Sequence, residues 1–198
     1  MGAISLRRVT LETDVVASLC VCGAGYWGGA TSVGFLDHLL AQFAAYSLAD
    51  LKLFCCGDLW TGWHHIVEDI GIVLGMLILS IQNKECCSSR FSAATMSNGG
   101  SLLNLSIDFS GRPRLYWDCK GLDDVSSAID DIRIARVFFD ALTHNCGATV
   151  HIVFAEVDDW YHAAEALFRA FGVCFRLAFG CGGSVSVSTR GEPKLIWR

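Results

Sequence analysis

The sequence predicts an α+β protein made of two related halves, each with the order β-β-α-β-α, over about residues 8–95 and 100–191. Segments of alternating hydrophobicity precede segments of helical periodicity in both halves. A histidine and a glutamate three residues apart open the last helix of each half, as His65 and Glu68 and again as His162 and Glu165. Both members are displaced by 97 residues (65 to 162, 68 to 165), which indicates an internal repeat.

The elements of the first half follow one another with clear boundaries. Residues 8–22 alternate and are rich in Val, Thr and Leu, which predicts a strand. The glycines of residues 23–29 indicate a turn. Residues 35–46 carry one apolar face, which predicts a helix. Residues 51–56 are predicted as a strand and residues 63–81 as a helix.

The second half repeats this order. Residues 102–109 and 114–117 are predicted as a strand pair around a Ser-Gly-Arg-Pro turn. A helix over 135–142, a strand over 149–154 and a helix over 161–178 follow. The first helix of each half also aligns, with Phe35-Leu36-Asp37 opposite Phe138-Phe139-Asp140.

Composition excludes several function classes. With 198 residues, 53% hydrophobic and 18% charged, the chain can bury a substantial core and is not disordered. A net charge of −5 without a Lys/Arg cluster argues against nucleic-acid binding. The longest apolar run, 70–81, is shorter than the roughly 20 residues that a bilayer span needs. Glu12 and Asp14 interrupt any secretory signal, so a soluble cytoplasmic protein with no membrane partner is expected.

Ten cysteines are many for this length, but none forms a Cys-x-x-Cys pair. They are predicted to be reduced thiols that pack as small apolar side chains. A zinc–thiolate site is the less favoured alternative.

The start of the 63–81 helix carries metal-binding chemistry. His64 and Glu68 are four residues apart and His65 and Glu68 are three apart, so both imidazoles share one helix end with the carboxylate. Adjacent helical residues point about 100° apart, so the two histidines suit two metal ions better than one. Imidazole with carboxylate favours Mn, Fe or Zn over Ca or Mg. The alternative is a polar cluster that caps the helix.

Three further residues extend this hypothesis. His162 and Glu165 repeat the three-residue spacing, although a single pair of this kind on a helix is usually structural. His38 lies on the 35–46 helix, where a histidine that is hydrogen-bonded within the fold is the simpler interpretation.

Three arginines indicate an anion-binding site. Arg90, Arg112 and Arg190 are each at a loop or at the end of an element, and Arg190 follows Ser188 and Thr189. Hydroxyls, backbone amides and a guanidinium together can bind a phosphate group. For any one of them alone, an ordinary surface arginine is the alternative.

Taken in order, these motifs resemble the imidazoleglycerol-phosphate dehydratase family of histidine biosynthesis. The resemblance extends from about Arg8 to Gly191, and its most specific segment begins at His64. The segments that carry it are Arg8-Val9-Thr10-Leu11-Glu12-Thr13, Phe35-Leu36-Asp37-His38-Leu39-Leu40, Gly57-Asp58-Leu59, His64-His65-Ile66-Val67-Glu68-Asp69-Ile70-Gly71-Ile72-Val73-Leu74-Gly75, Arg90-Phe91, Ser110-Gly111-Arg112-Pro113, His162-x-x-Glu165-Ala166-x-Phe168-Arg169-Ala170-Phe171 and Ser188-Thr189-Arg190-Gly191.

The resemblance implies a duplicated α+β fold that occupies the whole chain, 1–198, as one domain. It implies a metal-dependent hydro-lyase that converts imidazole glycerol phosphate to imidazole acetol phosphate, with Glu12 as the catalytic base. Two Mn2+ ions per site at subunit interfaces are implied, in a homo-oligomer of trimers that forms a large cubic shell. The implied metal ligands are His38, His64, His65, Glu68, His162 and Glu165, and the implied phosphate-binding residues are Arg90, Arg112, Ser188, Thr189 and Arg190.

The chain departs from the family pattern at two ligand positions. Tyr161 replaces the first histidine of the second metal helix, and Val137 replaces a histidine on the preceding helix. His144 and His151 are weak candidates to compensate. Arg190 stands where the family usually has Lys. A catalytically impaired homologue, kept as a structural or interaction subunit, is therefore the alternative to a working dehydratase.

Overall fold

Residues 2–57, 60, 62–83, 89–119 and 129–180 are described by the structure, which is a computed structural model. Each half contains four strands and two helices. The first half comprises β1 (Ile4–Val9), β2 (Thr13–Cys20), β3 (Trp27–Ala30), α1 (Gly34–Ser47), β4 (Asp50–Gly57) and α2 (His64–Gln82). The second comprises β5 (Phe91–Asn98), β6 (Ser101–Asp108), β7 (Arg114–Asp118), α3 (Ile129–Cys146), β8 (Thr149–Glu156) and α4 (Trp160–Phe179).

The two halves share one topology. The strand orders are β1-β2-β4-β3 and β5-β6-β8-β7. In each sheet, the pair that closes the crossover around a helix is parallel, β3 with β4 and β7 with β8, and the other pairs are antiparallel. The predicted α+β class and the duplication are confirmed.

Each half contains one strand more than the predicted β-β-α-β-α order. The predicted strand 8–22 divides into the end of β1 and β2, and β3 lies partly in the predicted turn. β3 has the sequence Trp-Gly-Gly-Ala, and a Cβ at Gly29 would overlap the Leu53 carbonyl of β4, so this glycine permits the close strand pairing. β5 is an edge strand with only Ser92 fully buried, so it lacks the hydrophobic alternation that identifies a strand.

The core lies between the sheets and the helices. α1 and α2 pack on the first sheet, and α3 and α4 pack on the second. The halves are joined by the helix pairs α1–α4 and α2–α3. Phe43, Phe171 and Phe175 fill the α1–α4 contact, with ring centroids 4.7–5.4 Å apart. Buried rings of this size contribute strongly to the hydrophobic stabilisation of the joined halves.

Glycines set the close approach of both helix pairs. A Cβ at Gly75 in α2 would lie 2.7 Å from the Leu142 carbonyl oxygen of α3. A Cβ at Gly172 in α4 would lie 2.8 Å from the Phe43 carbonyl oxygen of α1. The repeat therefore relates Gly75 to Gly172 and Leu142 to Phe43. The offset between α1 and α3 is 99 residues (43 to 142), so the predicted alignment of Phe35 with Phe138 is one helical turn out of register.

α2 is long and apolar enough to cross a membrane by length and composition, because the helix extends beyond the predicted apolar run. However, 61% of its most apolar window is buried inside the fold. It contacts β1, β2, β4 and α3. Among the described residues it is the single helix of this kind, and its burial identifies it as a core helix.

The buried cysteines behave as predicted. Burial raises the pKa of the Cys55, Cys146 and Cys174 thiols to about 12. These thiols therefore stay protonated near neutral pH and pack as small apolar groups. Cys22 differs, because it is disulfide-bonded. It lies on the surface after β2, where a thiol can reach a partner, so the prediction of ten reduced thiols is wrong at this position.

Candidate active site

The first cluster of site residues lies at the N-terminus of α2. His64 and His65 are the first two helical residues, and their ring centroids lie 6.2 Å apart with an interplanar angle of 79°. The Trp63 ring packs against His64 at 5.9 Å. The Glu12 carboxylate reaches this helix end, with Oε2 3.3 Å from His65 Nδ1. The two imidazoles therefore point in different directions, and one of them faces the predicted base.

A tight turn between β1 and β2 holds Glu12 against α2. The Thr10 hydroxyl accepts hydrogen bonds from the Glu12 amide at 3.2 Å and the Thr13 amide at 2.9 Å. The Thr13 hydroxyl donates to the buried Asp69 carboxylate, and Arg8 Nη1 lies 2.6 Å from Asp69 Oδ2. The turn is thus fixed at both ends to the helix that carries the histidines. Asp69 was not predicted, because its partners are far away in the sequence.

A cavity of about 280 Å³ opens beside this helix end. His64 and Glu68 line it from α2, and Val137 lines it from α3. Val137 therefore shares this cavity with His64 and Glu68. The other lining residues are Arg136, Asp140 and Ala141. Neither Arg136 nor Asp140 was predicted as a site residue, and no local motif marks them.

The second cluster centres on Glu165, which is only 3% exposed. Its Oε1 lies 2.6 Å from His38 Nε2 of α1, and its Oε2 accepts a 2.6 Å hydrogen bond from Asn98 Nδ2 at the end of β5. Arg169 lies one turn further along α4, 3.2 Å from the same oxygen. Burial raises the pKa of Glu165, but the hydrogen bonds from His38 and Asn98 and the charge of Arg169 outweigh it, so the net pKa is lowered.

Arg169 ties the remaining polar groups of this cluster together. Its Nε donates to Gln42 Oε1 at 2.9 Å, and its Nη1 donates to Asn98 Oδ1 at 3.1 Å. The guanidinium lies 5.7 Å from the Tyr46 ring centroid. Asn98 and Gln42 were missed from the sequence, since they reach Glu165 from elements 67 and 123 residues away.

Tyr161 lies beside the second cluster. Its ring lies 4.9 Å from the Phe35 ring and 5.9 Å from the His38 ring. The neighbouring His162 has a buried Nδ1 atom without a hydrogen-bond partner, 3.7 Å from Asp159 Oδ2. A divalent metal takes neutral imidazole and carboxylate donors, so this nitrogen next to the Asp159 carboxylate has the chemistry of a metal ligand.

The two clusters occupy equivalent places in the repeat. The displacements of 99 and 97 residues relate His38 to Val137 and Glu165 to Glu68. The displacement of 97 residues also relates His64 to Tyr161. Each cluster therefore has one position where a ligand is expected and none is present. Across the described residues, no three His, Cys, Asp or Glu side chains already form a group that could hold a metal ion.

Two of the predicted phosphate-binding residues converge on Asp108. Arg90 donates from Nε to Oδ1 at 2.7 Å and from Nη2 to Oδ2 at 3.0 Å. Arg112 Nη2 lies 4.0 Å from Oδ2. The bond from Arg90 lowers the pKa of the Asp108 carboxyl. Ser188, Thr189 and Arg190 lie outside the described residues.

This arginine pair is far from both clusters within one chain. Arg90 precedes β5, and Asn98 at the far end of β5 contacts Glu165, so the strand separates them by about 25 Å at 3.3 Å per residue. Gly111, next to Arg112, approaches Gly147, which in turn lies near Leu79. Leu79 is about 22 Å along α2 from His64 at 1.5 Å per residue.

The other two histidines make local contacts within one chain. His151 stacks on Tyr116 with centroids 4.1 Å apart, on the face of the second sheet that points away from the core. His144 Nδ1 lies 2.8 Å from the Asp140 carbonyl oxygen, with which it forms a local hydrogen bond. The compensating role considered above for His144 and His151 stays a prediction.

The fold and the clusters define a class: a duplicated α+β protein with two imidazole–carboxylate clusters and a separate guanidinium pair. Residues 31–175 match the model of the imidazoleglycerol-phosphate dehydratase family. The chain belongs to this family, which comprises hydro-lyases of histidine biosynthesis and is metal-dependent in general.

Relatives cover nearly the whole chain. An imidazoleglycerol-phosphate dehydratase from Campylobacter fetus is 36% identical over 95% of this chain and 98% of its own length. One from Moorella thermoacetica is 37% identical over 87% of this chain and 88% of its own. The crystal structure of the Staphylococcus aureus enzyme superposes with a TM-score of 0.77 at 27% identity, covering 90% of this chain and 98% of that one. The Pyrococcus furiosus structure gives 0.70 at 30% identity, covering 94% and 99%.

Proposed function

We propose that this chain catalyses the dehydration of imidazole glycerol phosphate to imidazole acetol phosphate. One observation carries the proposal: a fixed turn holds Glu12 3.3 Å from His65, at the helix end that also presents His64 and Glu68. A carboxylate beside imidazole groups can act as a general base when the substrate lies against them. The reaction removes a carbon-bound proton and a hydroxyl group as water, and the resulting enol becomes the ketone.

Glu12 is the proposed base. Its side chain is 58% exposed, so it can reach a substrate, while its backbone is fixed through Thr10 and Thr13. This combination keeps the carboxylate available and limits its positions, which reduces the entropic cost of the proton transfer. Glu12 lies before the residues matched by the family model, so its role rests on the resemblance and on this geometry.

The proposed cofactor is Mn2+, with two ions per site. Its proposed ligands come from both clusters and are His38, His64, His65, Glu68, His162 and Glu165. The donor set of imidazole and carboxylate fits Mn2+, and the His162 Nδ1 atom, which has no hydrogen-bond partner, supports a coordinating role for that ring. When bound at the substrate's imidazole ring, Mn2+ would withdraw electrons and make the neighbouring C–H bond more acidic.

Binding of the phosphate group is proposed for Arg90 and Arg112, together with Ser188, Thr189 and Arg190. Arg90 and Arg112 share one carboxylate, so two guanidinium groups are available within one small region. Guanidinium groups bind phosphate through paired hydrogen bonds. Anchoring the phosphate would fix the reacting carbon relative to Glu12.

The proposed site needs more than one copy of the chain. The arginine pair is about 22–25 Å from both clusters along α2 and β5. Among the described residues, no three donors already converge. Both observations support a homo-oligomer in which clusters and arginines from different copies meet, and the proposed assembly is trimers in a cubic shell. We also propose that residues 1–198 form one cytoplasmic domain, with no nucleic-acid or membrane partner.

The test is turnover of imidazole glycerol phosphate by purified protein supplemented with Mn2+, together with measured metal content. We expect product formation that is lost on chelation and regained with Mn2+. Absence of turnover, with less than one Mn2+ per chain, would contradict the enzyme proposal. The missing ligands at Val137 and Tyr161 favour a second candidate, an impaired homologue kept as a structural subunit. Intact assembly without turnover would support that candidate.

A further inference from the structure

We propose that Asp108 is a positioning residue for the substrate's phosphate group, acting through Arg90. The inference rests on the proposed phosphate-binding role of Arg90 and Arg112. We propose that Asp108 binds one edge of the Arg90 guanidinium. The other edge then points to the phosphate group, and Arg112 lies beside Arg90.

The hydrogen bonds leave one edge of Arg90 available. A guanidinium carries five N–H donors in a fixed plane. Asp108 takes the Nε donor and one Nη2 donor, at 2.7 and 3.0 Å. In the described part of the chain, no other acceptor is hydrogen-bonded to Arg90. The edge formed by Nη1 and the second Nη2 hydrogen has the geometry that binds two phosphate oxygens.

Phe91 restricts the guanidinium from a second direction. The Arg90 guanidinium carbon lies 4.8 Å from the Phe91 ring centroid. The Arg90 backbone is fixed as well, because its carbonyl accepts a 3.0 Å hydrogen bond from the Phe109 amide. One edge and one face are therefore occupied, and the orientation of the free edge is determined.

Asp108 itself is well anchored. It is the last residue of β6, an interior strand, and its register partners are Phe91 on β5 and Thr149 on β8. A carboxylate on a rigid interior strand positions its partner more accurately than one on a loop.

Arg112 does not form a hydrogen bond with the Asp108 carboxylate. Its Nη2 is 4.0 Å from Asp108 Oδ2, beyond hydrogen-bond distance, and its side chain is 77% exposed. The Asp108 carboxylate therefore orients Arg90, whereas Arg112 can move to bind the phosphate group. With two cations and one anion, the group retains one net positive charge for an incoming phosphate.

The first sheet offers a matched control pair. Arg7 donates to Asp14 from Nε at 3.0 Å and from Nη2 at 2.6 Å, across β1 and β2. The chemistry equals that of Arg90 and Asp108, and the pair is exposed. Asp14→Asn therefore removes the same kind of ion pair without touching the proposed phosphate-binding residues.

The experiment compares wild type, Asp108→Asn and Asp14→Asn, each loaded with Mn2+. Steady-state kinetics with imidazole glycerol phosphate give kcat and KM, and calorimetry gives the Kd of inorganic phosphate. For Asp108→Asn we expect KM and the phosphate Kd to rise on the order of tenfold with kcat within about twofold, because binding geometry and not chemistry is lost. For Asp14→Asn we expect both constants to stay at wild-type values.

Two outcomes would overturn the proposal. An unchanged KM and phosphate Kd in Asp108→Asn would overturn the proposal and leave a structural ion pair. Tighter phosphate binding would also overturn it, since Asp108 would then compete with the ligand. If wild type shows no turnover, the proposed function fails, but the calorimetric comparison still tests Asp108. Should Asp108→Asn not fold, Asp108→Glu keeps the charge, moves the carboxylate and is expected to raise the phosphate Kd.

Discussion

The two clusters share one backbone frame and differ in how their carboxylates are held. Glu165 is buried and bonded to His38, Asn98 and Arg169. Its equivalent, Glu68, is exposed beside a cavity of about 280 Å³. The residues equivalent to His38 and Arg169 are Val137 and Ile72, and both are apolar. Duplication thus preserved the fold while the polar surroundings of the two carboxylates diverged.

The position of Glu12, the predicted base, is a second difference between the two clusters. β2 and β6 both occupy the second place in their sheets, and they begin at Thr13 and Ser101. Glu12 precedes the first and Gly100 precedes the second. A carboxylate therefore accompanies the α2 cluster, and the equivalent place at the α4 cluster has no side chain. We therefore expect the α2 cluster, and not the α4 cluster, to supply the base for proton transfer.

The largest effect is expected for Glu12→Gln. Loss of the general base should lower kcat by about 10²- to 10⁴-fold. Mn2+ content and assembly should be unchanged, because Glu12 is not a proposed ligand. The control is Glu156→Gln, an exposed carboxylate at the end of β8. A kcat within tenfold of wild type for Glu12→Gln would contradict the proposal that Glu12, at the α2 cluster, is the general base.

The next largest effect is a difference in the free energy of unfolding between variants of Glu165 and Glu68. Glu165→Ala leaves Arg169, whose side chain is only 13% exposed, without its anion, so the free energy of unfolding should fall by about 3–5 kcal/mol. Glu68→Ala truncates an exposed side chain and should change it by about 0.5 kcal/mol or less. Urea unfolding of the metal-free variants measures both. Equal losses would show that the two carboxylates are held alike.

A smaller effect concerns pH. The folded-state pKa of Glu165 is lowered below its ordinary value of 4.5. Ionised Glu165 therefore stabilises the metal-free fold above the unfolded pKa, and this contribution is lost as the pH falls through the folded pKa. The stability difference between wild type and Glu165→Gln should be largest at pH 7 and shrink below pH 4.5. A difference that grows on acidification would reverse the sign of the pKa shift.

Local patterns were sufficient for the strongly patterned elements. The α2 and α4 helices, β4 and β8 were predicted close to their observed bounds, because each has a continuous apolar face. β3 and β5 were not, because an edge strand such as β5 needs little hydrophobic alternation and β3 is short and glycine-rich. The one-turn error between α1 and α3 arose because residue identity at single positions does not report helix packing.

The site residues likewise fall into those that a local sequence pattern predicts and those that it does not. The histidine–glutamate spacing on α2 and α4 was visible because its members are neighbours on one helix. Asn98, Gln42 and Asp69 were not visible, since each meets its partner only through tertiary packing. The position of Asp108 between Arg90 and Arg112 likewise depends on pairing between β5 and β6. The roles proposed for the site residues remain predictions.

The central claim is that Val137 and Tyr161 each occupy a ligand position of a metal site. Calorimetric Mn2+ titration of wild type, Val137→His and Tyr161→His tests it most directly. Each restored imidazole should tighten Mn2+ binding by about tenfold, equivalent to about 1.4 kcal/mol. The control is Met76→His, at an exposed position on α2 away from both clusters, and it should leave the affinity unchanged. Wild-type affinity and stoichiometry in both Val137→His and Tyr161→His would contradict the claim.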